Sequence, residues 1–156
     1  MNKQLVRLLN LIMAGLIAGT LFGIWIGYNP QNLSPQAYVE QQQNAINALN
    51  TLMPILGLIT IILTLTSATL HKSNATIFGA FLGAAGLFIV SGLVTRFGNQ
   101  PINSIVMTWN KAEVPTTWVE LRDKWWFFHT IRTATALGAF CLICWVNIFK
   151  LTAFQN

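Results

Sequence analysis

Four spans of this sequence carry no formal charge: from Arg7 to Glu40, from Glu40 to Lys72, from Lys72 to Arg96 and from Arg132 to Lys150. A helix that crosses a bilayer needs roughly 20 mostly apolar residues. Each gap is long enough, so the pattern predicts four transmembrane helices. Charged residues make up only 8% of the chain, against about 25% in a soluble domain. The 156 residues are read as a single four-helix membrane domain, all-α, whose first partner is the lipid bilayer.

The net charge of +5 does not indicate nucleic acid. The basic residues are scattered at helix ends and in one loop, with no dense run. Lys3, Arg7, Lys72 and Lys150 fall on one side without acids, which favours cytoplasmic termini in a bacterial inner membrane. The apolar run after Arg7 is too long for a signal-peptide core, and Tyr28-Asn29-Pro30 is a poor cleavage site. The first helix is therefore read as retained.

Helix one is expected over Leu5 to Gly27. Gly15, Gly19, Gly23 and Gly27 recur at every fourth position, a spacing that lets another helix approach closely. Ser34 and Pro35 are a helix start, Ser as N-cap and Pro at the first turn. One long helix should run from Gln36 to Leu70, kinked at Pro54. Glu40 and the run Gln41-Gln42-Gln43-Asn44 read as a solvated face, or as the lining of an entrance. His71 is placed at a helix end, where its side chain satisfies a free carbonyl. Thr76 to Val94 forms helix three, with Gly79 and Gly83 as a second close-packing pair. The third connection, Thr95 to about Phe127, is long and is expected to carry a short interfacial helix from Pro101 to Asn110. Thr117-Trp118-Val119-Glu120 reads as a capping box that opens helix four near Trp118, running on to about Lys150.

Chemistry concentrates at the head of that last helix. Trp118, Arg122, Trp125, His129, Arg132 and Ala136 are spaced four, three, four, three and four apart, which places them on one face. Trp125 to Phe128 mark the interface, so Arg132 falls inside the hydrocarbon, where an ionisable side chain marks a functional site by default. Asn99 and Asn103, one turn apart, are available to hydrogen-bond into the same place. The candidate pocket is thus lined by Arg132, His129, Trp125, Arg122, Trp118, Asn99 and Asn103. Arg122 and Trp126, taken alone, read as interfacial anchors.

Other chemistries find little support. No set of His, Cys, Asp and Glu stands at metal-ligand spacing. Neither a phosphate loop nor a nucleophile triad nor paired carboxylates occur. A single axial haem ligand at His129 is compatible with the pattern, but no cofactor is required by it. Cys141 and Cys144 sit in the fourth apolar segment and read as small packed side chains rather than a redox pair.

The order Asn99-x-Pro101-Ile102-Asn103, Trp109, Pro115-x-x-Trp118, Leu121-Arg122-x-x-Trp125, His129-x-x-Arg132-Thr133, after a glycine-rich first helix, resembles the anthrone oxygenase family. The resemblance implies a four-helix membrane bundle. For the polyketide-pathway members it implies oxidation of an anthrone to an anthraquinone by molecular oxygen, without a conventional cofactor. It places the site at Asn99, Asn103, Trp125, His129 and Arg132; the enzyme branch often has Asn where this chain has His129. The expectation is a membrane oxygenase or oxidase for a flat hydrophobic small molecule. His129 would act as base, Arg132 and the asparagines, Asn103 above all, would hold the oxyanion, and Trp118 and Trp125 would stack on the ring. The competing expectation is a non-catalytic accessory subunit of a larger membrane complex, a homo-oligomer, or a binder of haem, quinone or lipid.

Overall fold

A computed structural model describes residues 2–150, apart from the Lys150 side chain. Four helical stretches, Lys3–Asn32, Leu52–Leu70, Ala75–Val106 and Trp118–Phe149, are long and apolar enough to cross a membrane. Within them lie α1 (Lys3–Gly27), α3 (Leu52–Leu70), α4 (Ala75–Val94), α5 (Gln100–Val106) and α6 (Trp118–Trp145), while α2 (Pro35–Leu49) stands between α1 and α3. No strand occurs among the described residues. α1 packs on α3 and α6, and α4 packs on the same two helices. The result is a square bundle. The head of α1 meets the π turn Val146–Lys150 that follows α6, where Arg7 Nε donates to Asn147 Oδ1 at 3.0 Å. The opposite end of the bundle is capped by α2 and the α5–α6 connection.

Close packing in the bundle is done by alanine. Ala14, Ala18, Ala68, Ala84, Ala136 and Ala139 are fully buried, filled in by Ile17, Phe81, Phe88 and Ile143. The expected glycine seam is not the contact surface of α1. Gly19, Gly23 and Gly27 are exposed, and a Cβ on any of them would meet nothing within 4 Å. Only Gly15 touches a neighbour, Phe140. The drift of a four-residue repeat around a 3.6-residue helix turns the stripe away from the face that Ala14, Ile17, Ala18 and Leu21 bury. Gly79 likewise meets nothing, and Gly83 only the tip of Leu142. Of the two cysteines, both free, Cys141 is exposed toward lipid and Cys144 is half-buried, so neither is fully packed inside.

The single long helix expected from Gln36 to Leu70 is two helices. α2 ends at Leu49, with Asn50 as its C-cap, and α3 starts at Leu52 after Thr51. Pro54 is the cause: it has no N–H to give the Asn50 carbonyl, and its ring would clash with that carbonyl in a continuous helix. The chain breaks one turn ahead of it. α2 starts as expected, with Ser34 Oγ accepting from Ala37 N at 3.3 Å and Pro35 in the first turn. Released from α3, it lays Tyr38, Val39, Gln42 and Ile46 against α5 and the following loop. The buried stripe has helical spacing, and Gln42 is part of it.

Pro101 works the other way. α4 does not end at Val94 but passes through a π turn, Thr95–Asn99, into α5. The Gln100 N–H reaches back five residues to the Thr95 carbonyl, the bond of a π turn set just ahead of the proline. The short helix expected near Pro101 is thus α5, continuous with α4. Gly98 in that turn lies so close to α6 that a Cβ would stand 2.6 Å from the Phe128 ring. No larger residue fits there without displacing the ring.

Two smaller expectations, at His71 and at Thr117, have opposite outcomes. His71 caps α3, its Nδ1 2.8 Å from the Ser67 carbonyl. Asn74 caps α4 through Ile77 N. The capping box at Thr117 does not form: Thr117 has helical backbone angles and makes no side-chain cap, because an N-cap needs an extended residue to turn its oxygen back.

Candidate active site at the capped end of the bundle

The π turn and Gly98 bring Asn99 and Asn103 against Trp125, the first fully covered residue of α6. Asn99 Nδ2 donates to the Trp125 carbonyl at 3.0 Å. Asn103 Oδ1 accepts from the Trp125 indole N–H at 2.8 Å and from Gln42 Nε2 at 3.3 Å. Asn103 Nδ2 donates to Asn50 Oδ1 at 2.9 Å, and Tyr28 Oη donates to Gln42 Oε1 at 2.9 Å. One ladder of buried amides thus ties the end of α1, α2, the α2–α3 break, α5 and α6 together. Gln43 adds to it by donating to the Val106 and Trp109 carbonyls at the free end of α5. The glutamine run is therefore a staple as well as a surface, with only Gln41 exposed among its three glutamines.

Below the ladder lies a cavity of about 290 Å³, close to the ~300 Å³ where ligand pockets begin. Tyr28, Gln42, Asn103, Trp125 and Arg132 line it, with Leu21, Ile24 and Met53 as apolar wall. Its outer edge is formed by exposed Gln41 and Asn44 of α2. Arg132 is the one charged side chain in it among the described residues. The guanidinium carbon lies 5.6 Å from the centre of the Trp125 ring, and no carboxylate pairs with Arg132 among the described residues. A cation at this depth costs about 3 kcal/mol on insertion scales. Something must offset that in a working protein.

His129 explains how Arg132 is held. Arg132 Nε donates to His129 Nδ1 at 3.0 Å, so the Nδ1 lone pair that a base would use is occupied. An imidazole accepting at Nδ1 carries its proton on Nε2. That N–H is buried without meeting the geometry of a hydrogen bond, although the Leu21 carbonyl acts on the ring as a backbone acceptor. Trp125 stacks on the imidazole at 5.1 Å and 7°, and Trp126 at 5.5 Å and 26°. His129 is fully buried and lines neither the cavity under α2 nor a second one beside it. Neither ring nitrogen is open to an axial haem.

The expected stripe therefore divides. Asn103, Trp125 and Arg132 meet at the cavity, and His129 and Asn99 stand behind them. Trp118 and Arg122 belong to a separate cluster under α2. Arg122 lies 4.8 Å over the Trp118 ring and is bonded at 2.9 Å to Asp123, and Trp118 packs on Tyr38 at 5.8 Å. They line neither cavity. Tyr28 and Asn50 were not expected at the site; Gln42, with Gln41 and Asn44, was expected there only as the alternative lining of an entrance. The signal for Gln42 was present, since Tyr38, Gln42 and Ile46 repeat at four-residue spacing. No group of His, Cys, Asp and Glu among the described residues could hold a metal ion.

Comparison with known proteins adds one finding. A family model described as anthrone oxygenase matches residues 43–142. No curated protein and no solved structure matches the chain.

Proposed function

The chain belongs to the anthrone oxygenase family, and on that premise we propose that it is a membrane oxygenase for a flat, hydrophobic aromatic such as an anthrone. One observation carries the reading. Arg132, a cation without a carboxylate partner among the described residues, lines a cavity walled by Trp125 and Tyr28. It is suited to an oxygen that becomes negative during reaction.

For an anthrone the balance is simple. The ring methylene loses a proton, and the carbonyl oxygen takes up the charge as an enolate against Arg132, with the Asn103 amide beside it. Oxygen takes electrons from the enolate and bonds to the former methylene carbon, and the peroxide anion takes a proton back from water to give a hydroperoxide. Loss of water leaves a second carbonyl. One oxygen atom stays in the product and the other departs as water. Trp125 supplies the stacking wall. The outer edge at Gln41 and Asn44 lets water accept the proton. His129 is a positioning residue in this scheme: it fixes the guanidinium and does not touch the ring.

The test is oxygen uptake and quinone formation by the purified protein with an anthrone, wild type against Arg132→Leu. Turnover that survives the substitution would sink the proposal. We also place both termini in the cytoplasm of a bacterial inner membrane, on the bias of Lys3, Arg7 and Lys72. A carboxy-terminal reporter that is active only in the cytoplasm checks this.

A second reading, a non-catalytic subunit or homo-oligomer, draws on the exposed stripe Gly19, Gly23, Gly27, which is shaped for another helix. Cross-linking from cysteines placed on that stripe decides whether a stoichiometric partner sits there.

A further inference from the structure

Arg132 has a cavity on each side. The second, of about 210 Å³, lies between α3 and α4 and shares Leu21, Met53, Pro54, Thr95 and Arg132 with the first. The two therefore adjoin, and the guanidinium stands where they meet. Their surroundings differ. The first is edged by amides of α2, outside the membrane spans. The second runs along two facing stripes, Pro54, Gly57 and Leu58 on α3 and Ser91, Gly92 and Thr95 on α4, each with helical spacing. Leu58 and Gly92 are exposed at its rim, and both stripes fall inside membrane spans. An opening there faces lipid.

An uncharged aromatic concentrates in the bilayer. To enter at the α2 edge it would first have to leave the apolar phase for water. Through the α3–α4 cavity it passes a mostly apolar wall, with Ile17, Leu58, Ile61 and Phe88 in it and Arg96 and Gln100 as its further polar members, until it reaches Arg132. Gly57 and Gly92 keep that opening wide, because a Cβ on either would meet nothing within 4 Å. Gly57 sits half-buried rather than in a helix contact.

We propose that the α3–α4 cavity is a lateral portal, through which an apolar aromatic dissolved in the bilayer passes between Gly57 and Gly92 to Arg132. This rests on the reading of the Arg132 cavity as a site for such a molecule. It narrows the substrate class to neutral, membrane-dissolved compounds, with anionic, water-soluble analogues excluded by the route.

The experiment uses the full chain in liposomes, with benzophenone dissolved in the bilayer as the probe. This aromatic ketone couples to neighbouring C–H bonds when irradiated. After a short exposure, peptide mapping reads labelling around Arg132. Wild type should label there. So should Gly86→Leu, a control on α4 that is exposed, off both cavities and free of neighbours within 4 Å. The pair Gly57→Leu with Gly92→Leu should label severalfold more slowly. Each single variant should show part of the loss, which keeps the test available if the pair folds poorly. Labelling as fast in the blocked variants as in wild type overturns the portal, and so does a wild-type protein that never labels at Arg132. Labelling that is blocked by the leucines, in a protein that does not oxidise anthrones, supports the portal while rejecting the oxygenase chemistry.

Discussion

Two buried polar groups sit at opposite ends of the same bundle, and they are built to different rules. Near the termini, Asn10 Oδ1 accepts from Thr64 Oγ1 at 2.8 Å and Asn10 Nδ2 donates to Ser67 Oγ at 3.4 Å. Thr60, Thr64 and Ser67 also donate back to their own helix. Every polar side chain there has a partner, and none is charged. At the capped end the amide ladder is equally well paired, but it surrounds an arginine with no carboxylate partner among the described residues and leaves Asn99 Oδ1, His129 Nε2 and Tyr38 Oη without hydrogen-bond partners of standard geometry. A buried polar group that satisfies itself is glue between helices. One that leaves charge and donors over is held for something else.

The sharpest way to break this comparison is Arg132→Leu. Loss of one oxyanion contact lowers turnover by roughly 10²–10³. The same change removes a membrane-embedded charge, so the midpoint of thermal unfolding in detergent should hold or rise. A large fall in stability together with activity would place Arg132 with the glue. Asn103→Leu comes next. It strips partners from the Trp125 indole, Gln42 and Asn50 at once, and each buried group left unsatisfied costs about 1–3 kcal/mol. Stability and turnover should fall together, since the ladder both closes the bundle end and shapes the cavity.

His129 separates positioning from base catalysis. His129→Ala frees the guanidinium and should lower turnover about tenfold, the weight of one hydrogen bond to a charged group. His129→Asn retains an acceptor and should recover part of the loss. Because its Nδ1 lone pair faces Arg132, the rate should show no inflection near the ordinary histidine value of about 6.5. An inflection there that vanishes in His129→Asn would return the base role to His129. Asn10→Leu, at the other end, should cost about 0.6 kcal/mol, the mean for a hydrogen bond between membrane helices, with turnover per folded molecule unchanged.

Much of this was legible in the chain and some was not, for physical reasons. The four spans followed from the gaps between charges, since the cost of burying a charge in lipid overrides every weaker preference. The face carrying Trp125, His129 and Arg132 followed from helical spacing within one uninterrupted helix. Asn99 and Asn103 were legible as partners, although the π turn that aims them was not, because Pro101 could equally have ended the helix. What failed was everything that depends on which way an element turns after a break. Pro54 was read as a kink in one helix. The helix is interrupted over Asn50 and Thr51, both still with helical backbone angles, and that break re-aims α2 so that Gln42 and Asn50 reach the ladder. The glycine stripe was read as a contact because the spacing allows one. Spacing does not say which side of α1 the neighbours occupy, and here alanines take that side.

Tyr38 gives the smallest effect and the finest test of the comparison. Its ring is fully buried between Trp109 and Trp118, and its hydroxyl has no hydrogen-bond partner of standard geometry. A hydroxyl in that state contributes desolvation cost and no bond, so Tyr38→Phe should leave stability at neutral pH unchanged or slightly higher. Burial also pushes the phenol well above its ordinary range, with Arg122 opposing and Asp123 adding to the shift. A raised value means that the folded state keeps a proton the unfolded state has lost. Stability should therefore decline as pH climbs through about 10, where an unfolded tyrosine ionises. Tyr38→Phe removes that contribution, so its unfolding midpoint should fall less steeply than wild type above that pH. Equal slopes would mean that the hydroxyl is hydrated or paired in the membrane-bound protein, which would move it from the unsatisfied set at the site to the satisfied pattern of the Asn10 cluster.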